Sequence, residues 1–307
     1  MWIKSLIDMQ KWIFTFITKK DFRVKPFRYF LGIMTMIFLT SCSSLIYYPN
    51  NKKYFKPEQV SLTAEDIHFK DSLGDNIHAW WFSALPNGLD GAPQKPKGTF
   101  AYFHGNAENL SSHFLAMSWL PKIGYNYLIL DYPGYGESSG KPTPENTVKA
   151  GMAAIQWVHD NKDSSPLWIY GQSLGGAVAM RSALEMKDKV PIKIVIADGT
   201  FDSYESVARM KLADSWITWI FQPLAYVLLS DRWAPNDIAQ LSPIPLIVMH
   251  GELDPVIPYR AGQKVFADAK DPKAFIGVPQ GHHGDLFWIE DGKYRKVLLD
   301  EAARLTK

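Results

Sequence analysis

The 307-residue chain predicts one α/β domain, a mostly parallel sheet covered by helices on both faces. Three observations carry this expectation. Short, nearly continuous apolar runs recur from about residue 64 onward; helix-type stretches separate most of them; and a composition of 47% hydrophobic and 21% charged residues is that of a globular chain. The length suits a single large domain. No repeat of 20 to 50 residues and no low-complexity tract interrupts it.

In chain order the strand-like runs are 77–84 (IHAWWFSA), 99–104 (TFAYFH), 125–132 (YNYLILDY), 166–171 (PLWIYG), 193–199 (KIVIADG), 244–251 (IPLIVMHG) and 273–279 (KAFIGVP). Runs that are apolar at almost every position belong in strands buried on both faces. The stretch 64–84 has no helix inside it and turns at Gly74-Asp75-Asn76, which predicts an antiparallel hairpin. Thr143-Pro144 open a predicted helix over 143–160, a cap residue followed by a proline in the first turn. A second helix is predicted over 174–186.

The amino-terminal region has a different character. Of a formal net charge of +2, residues 1–41 contribute seven Lys/Arg against Asp8 and Asp21, or +5, so the remainder carries about −3. A body of that charge is a poor nucleic-acid binder, and no nucleic-acid partner is expected. After the basic stretch comes YFLGIMTMIFLT, too short to span a bilayer but suited to the apolar region of a secretory signal. Its ending, Leu39-Thr40-Ser41-Cys42, resembles the bacterial lipobox, in which small residues admit a peptidase and the cysteine thiol receives a diacylglyceryl group. Residues 1–41 are therefore expected as a lipoprotein signal peptide, with Met9 as an alternative start. Cys42 is expected as the lipidation site, anchoring the chain firmly to a membrane of the bacterial cell envelope. Ser43 replaces the aspartate that retains such proteins at an inner membrane, which favours the outer membrane where there are two. The alternative is an incidental cysteine after an uncleaved anchor. Cys42 is the only cysteine, so disulfides contribute nothing. Residues 42–60, with Pro49, Asn50, Asn51 and several lysines, are expected as a tether.

Gly171-Gln172-Ser173-Leu174-Gly175 matches G-x-S-x-G between a predicted strand and a predicted helix, the context that gives this short motif its force. The serine of such a turn takes a strained backbone conformation, and side chains at the flanking positions would collide with the strand and the helix. The helix amino terminus then faces developing negative charge. A serine hydroxyl needs a base, and the base an orienting acid. Asp254 stands just past the end of the run 244–251, where open parallel sheets keep functional groups. Glu252 is the competing carboxylate. The base is expected in Gly281-His282-His283-Gly284-Asp285, and the order Ser, Asp, His is that of the α/β-hydrolases.

Residues 60–305 resemble an α/β-hydrolase, and most closely the membrane-associated serine hydrolases with a His-Gly-Asn loop after the third strand. That loop is His104-Gly105-Asn106 here, and Asp131-Tyr132-Pro133-Gly134-Tyr135-Gly136-Glu137-Ser138-Ser139-Gly140 matches the family's D-Y-x-G-Y-G-x-S-x-G segment. The resemblance implies the α/β-hydrolase fold over 61–307. Laying P-x-x-G-H-N-D without gaps on Pro279–Asp285 makes His283 the base, with His282 as the alternative. His282 stands where glycine is usual and Gly284 where asparagine is. The resemblance also implies an oxyanion hole from the backbone amides of Asn106 and Leu174, leaving their side chains free to differ, and a loop-shaping role for His104. No metal or other cofactor is expected; His282, His283 and Asp285 lack further ligands at zinc-like spacing.

Residues 201–241 stand where these enzymes carry a cap, and Trp216, Ile217, Trp219, Ile220, Phe221 and Leu224 make this one densely apolar. The expectation is an acyl-chain pocket or a lid touching lipid; the alternative is a helix burying one face on the sheet. The chain is thus expected to be a monomeric serine hydrolase that cleaves carboxylic esters or thioesters of lipophilic acyl groups, with a small-molecule or lipid ester as substrate. The alternatives are an oligopeptidase-type serine peptidase and a non-catalytic envelope lipoprotein using the fold as a binding scaffold.

Overall fold

A computed structural model describes residues 46–85, 95–162, 166–214 and 218–307. The expected signal (1–41) and Cys42 lie outside the described residues. Along the chain the strands are β1 (Glu65–Lys70), β2 (Asn76–Phe82), β3 (Thr99–Phe103), β4 (Asn126–Leu130), β5 (Leu167–Gln172), β6 (Ile192–Asp198), β7 (Leu246–Gly251) and β8 (Lys273–Val278). They form one sheet in the order β1-β2-β4-β3-β5-β6-β7-β8. The pair β1–β2 is the expected antiparallel hairpin, β2 is antiparallel to β4, and every pairing from β4 through β8 is parallel.

The helices are α1 (Pro144–Asn161), α2 (Leu174–Met186), α3 (Tyr204–Ala213), α4 (Gln222–Leu228), α5 (Tyr259–Asp268) and α6 (Lys293–Leu305), with a single turn at Leu110–His113. Thr143 caps α1 by accepting the amide of Asn146, and Pro144 occupies the first turn, as the residue types predict.

The unbroken apolar runs have a direct cause. Alternate residues of one strand feed different cores: Ala101, Leu128, Ile169, Val195 and Val248 pack under α1, α2 and α5 with Val148, Val178 and Val265. Their neighbours Phe100, Ile129, Tyr170, Ile196 and Met249 pack on the other face with Phe114, Leu298 and Ala302. A strand covered on both faces has no solvent side on which to place polar residues.

Residues 46–60 do not behave as the expected tether. Tyr47 is buried with its hydroxyl 3.3 Å from Thr147 Oγ1, Pro49 bridges to Glu108, and the segment closes with a 3-10 turn over Pro57–Val60. An aromatic side chain with a burial site and backbone groups with nearby partners favour docking over a free linker. Among the described residues no helix is long and apolar enough to cross a membrane.

Candidate active site

The strand order reverses at β3, whose two neighbours β4 and β5 both follow it in sequence. The crevice at the carboxyl ends of β3 and β5 is the topological switch point where open α/β sheets bind ligands. The loop after β3 carries Asn106 and the turn after β5 carries Ser173.

Ser173 has φ 57° and ψ −125°, a conformation that costs a non-glycine residue about 1–3 kcal/mol. The turn survives because its surroundings over-determine it. Ser173 N–H donates to Asp198 O at 2.8 Å, and Ser173 O accepts from Gly176 N and from Thr200 Oγ1 at 2.9 and 2.7 Å. The glycines are demanded by close approach: a Cβ at Gly171 would lie 2.3 Å from Gly175 O, and one at Gly175 would lie 2.1 Å from Phe103 O. β3, β5 and α2 are packed backbone to backbone here.

Past β7, the Asp254 side chain is almost fully buried. Its Oδ1 accepts the amides of Val256 and Ile257 at 2.7 and 2.9 Å, and its Oδ2 accepts Nδ1–H of His283 at 2.7 Å. Burial alone would raise this carboxyl; the bond from His283 and the two amides hold it below the usual aspartate range. An acceptor-only carboxylate at Nδ1 fixes the tautomer of His283, leaving Nε2 as the basic nitrogen. Ser173 and His283 line one pocket.

The competing residues are elsewhere. Glu252 is exposed, and the His282 side chain is 57% exposed with Nδ1 3.5 Å from Asp285 Oδ2. Asp285 instead ties the turn by accepting the amide of His282 at 2.8 Å. Gly284 has φ 81°, a left-handed conformation that glycine adopts freely and asparagine adopts better than most, which accounts for the departure at this position.

The loop after β3 passes directly over the serine: a Cβ at Gly105 would sit 3.5 Å from Ser173 Cβ. His104 is fully buried, stacks on His113 and donates Nδ1–H to Gly105 O at 2.7 Å, the contacts of a loop-shaping residue. Burial pushes His113 down to about 3, so it is a neutral ring, with Nε2–H on Ala107 O at 3.2 Å.

Two cavities meet at Ser173. One, about 530 Å³, is apolar, with Leu174, Tyr204, Val207, Leu212, Phe221 and Leu224 in its wall. The other, about 500 Å³, is bounded by His113, Ala116, Gln172, His283 and Trp288. The cap over the first consists of α3 and α4, which pack on each other. Helix α4 buries only Ala225, whereas Trp219, Ile220, Phe221, Leu224, Tyr226 and Val227 are 45–77% exposed. A helix burying one apolar face on the sheet is therefore not what this segment forms. Trp216 and Ile217 lie outside the described residues.

Two supporting residues escaped the sequence reading. His250, fully buried near the end of β7, donates Nε2–H to Ile257 O at 3.0 Å and stands 3.6 Å from Asp254 Oδ2, bracing the turn that carries Asp254. Its signal was a histidine inside an otherwise apolar strand. Asp198, at the end of β6, accepts Tyr170 O–H at 2.6 Å, and its Oδ1 has no hydrogen-bond partner among the described residues.

Burial pushes the Asp198 carboxyl up to about 6, against the bond from Tyr170. Between about pH 4 and 6 the unfolded chain loses this proton and the folded chain keeps it, so stability falls as pH rises, by about 3 kcal/mol at most. Asp198→Asn retains an acceptor for Tyr170 without the charge. It is expected to be about 1–2 kcal/mol more stable than the parent at pH 8 and to flatten the dependence between pH 4 and 6. Denaturant unfolding at pH 4.5 and 8 checks this; equal slopes for the two proteins would refute it.

For a metal, three side chains converge among the described residues: His68, His78 and Glu137. His78 lies between Asp66 and Asp131, at 2.9 and 3.6 Å, and Glu137 is paired with Lys53 at 2.9 Å. His78 and Glu137 are thus already engaged with protein partners.

The sequence profile of the family described as serine aminopeptidase, S33, matches residues 94–240, from β3 through the elbow and the cap. The YfhR protein of Salmonella typhi is 34% identical over 265 residues, which covers 83% of this chain and 84% of the relative. The chain belongs to the α/β-hydrolase superfamily, as a relative of the YfhR proteins. Among solved structures, the hydrolase is similar to the esterase Pf2001 of Pyrococcus furiosus, with a TM-score of 0.65 at 20% identity over 85% of this chain and 99% of that one. It is also similar to the acylaminoacyl peptidase of Pyrococcus horikoshii, with a TM-score of 0.60 at 16% identity, but spans only 42% of that chain. At these identities the shared property is the α/β-hydrolase fold, as the family resemblance implied.

Proposed function

We propose that the protein is a serine hydrolase of carboxylic esters or thioesters with lipophilic acyl groups. The observation that carries this is the position of Ser173 where an apolar cavity meets a second pocket holding the Asp254-paired His283. Ser173 Oγ attacks the acyl carbon as His283 Nε2 takes its proton, and the carbonyl oxygen becomes an oxyanion facing the amides of Asn106 and Leu174. Collapse breaks the bond to the leaving group, which receives the proton from His283. Water then adds to the acyl-enzyme by the same route, releasing the acid and restoring Ser173. Asp254 stabilises the imidazolium in both halves.

The acyl chain fits the apolar cavity, and the leaving group fits the pocket on the His283 side. A peptide substrate with a free ammonium group is disfavoured electrostatically: no Asp or Glu lines either cavity among the described residues, and Lys211 lines the apolar one. A bare binding scaffold would not need a strained serine, a paired histidine and an overlying loop together. The proposal keeps Cys42 as the lipid anchor to the cell envelope, with the exposed apolar residues of the cap as the surface that meets lipid.

A nitrophenyl ester series tests the reading. Each methylene buried in the cavity is worth about 0.8 kcal/mol, so kcat/KM is expected to rise about two- to fourfold per added CH2 over the first several carbons. Leu224→Arg is expected to flatten the series by blocking the cavity while sparing the acetate. A flat series with the parent protein would overturn the acyl-pocket assignment; no turnover of any ester would overturn the hydrolase reading.

A further inference from the structure

We infer that residues 46–55 belong to the reaction machinery: they form a strap that, through the Asn106 side chain, positions the backbone amide expected to hold the oxyanion. This inference rests on the proposed acyl-transfer chemistry.

The loop that carries the amide does not hold itself in place. Ala107 and Glu108 both adopt left-handed conformations, with φ of 62° and 57°, a strained pair of non-glycine residues directly after Asn106. External partners must maintain such a conformation, and the strap supplies most of them. Asn106 Oδ1 accepts the amide of Tyr48 at 3.0 Å, its neighbour's amide at 2.8 Å and the hydroxyl of Tyr135 at 2.9 Å. Asn106 Nδ2 donates to Ile46 O. The side chain is thus clamped between the strap and the Asp131–Gly140 segment.

Further along, Asn109 Nδ2 donates to Asn50 O, Asn50 Oδ1 and Lys52 O, and Ser111 accepts from Tyr54 N and Phe55 N at 3.0 and 3.2 Å. Gly136 N donates to Asn50 O at 3.0 Å, so the strap also joins the segment that carries Tyr135. Tyr47, buried beside α1, pins the strap from beneath. The expectation that only the backbone of Asn106 matters is corrected here: both ends of its side chain are engaged, and Asn106 also lines both cavities.

Asn106 and Tyr135 are therefore positioning residues, and their loss should be felt in the transition state rather than in substrate binding. In the full chain, Asn106→Ala keeps the amide but removes the clamp, and kcat is expected to fall about 10- to 100-fold with KM within about threefold, short of the 10²–10³ seen when an oxyanion donor is lost outright. Tyr135→Phe removes one donor and is expected to cost about three- to tenfold. The affinity of an alkyl trifluoromethyl ketone, which takes Ser173 Oγ at its carbonyl and so forms a bound oxyanion, should weaken in parallel with kcat/KM. Because Tyr135 acts through the Asn106 side chain, the double variant should be within about twofold of Asn106→Ala alone.

Additive losses, kcat within twofold of the parent, or undiminished ketone affinity would each overturn the inference. A lowered Tm with kcat unchanged would do so too, leaving the strap a purely structural element. Failure of the hydrolase reading is distinguishable, because then the parent chain itself would neither turn over esters nor bind the ketone.

Discussion

Alanine at Ser173 or at His283 is expected to lower kcat on a short-chain ester by about 10⁴-fold or more, with KM little changed. His282→Ala is expected to stay within about threefold. Ser173 is the group proposed to form the acyl bond, and His283 is the histidine whose Nδ1 is held 2.7 Å from a buried carboxylate. His282, the preceding residue and mostly exposed, has Asp285 Oδ2 at 3.5 Å. Steady-state kinetics with an acetate ester measures the losses, and a fluorophosphonate probe reports the serine directly. Labelling that persists in Ser173→Ala would remove the nucleophile assignment. A dead His282→Ala beside an active His283→Ala would transfer the role of base to the neighbouring ring.

The second large effect concerns the acid. Asp254→Asn is expected to cost about 10³- to 10⁴-fold in kcat, although the fold changes little. An asparagine can turn its amino group toward Nδ1 of His283 and so favour the tautomer that leaves no lone pair at Nε2. The protein would retain a serine and a histidine with the proton on the wrong nitrogen. The carboxylate of Asp254 is held below the usual aspartate range by His283 and by the amides of Val256 and Ile257, so it stays ionised through mildly acidic conditions. Glu252→Gln is the matched control, expected within about threefold. If the two substitutions exchanged effects, the acid would be Glu252, which the structure leaves exposed.

The sheet and the elbow were readable in the residues because their causes are local. Strands β3 to β7 are apolar at nearly every position because adjacent residues enter opposite cores, and that pattern is visible without knowing the partners. Gly171 and Gly175 flank Ser173 because backbone passes within a Cβ's reach of each, and few residue types satisfy that demand. Asp254 stands past the carboxyl end of β7, where an open parallel sheet presents its functional groups, and that position is visible from the apolar run before it.

What sequence left undecided depended on contacts between distant segments. The family pattern points to His283 but leaves His282 open as the alternative; the turn at Gly284 and the depth of Asp254 put the His283 ring against the carboxylate and the His282 ring in solvent. Residues 46–60 have the composition of a linker, and only the position of the β3 loop shows that their backbone groups have partners. The apolar cap could have lain on the sheet. Its sequence determined that more apolar surface exists than one buried face requires, and only tertiary packing decided that the surplus divides between a cavity at Ser173 and the open surface. Periodicity and steric demand are properties of neighbouring residues, whereas register between loops depends on where the whole sheet delivers them.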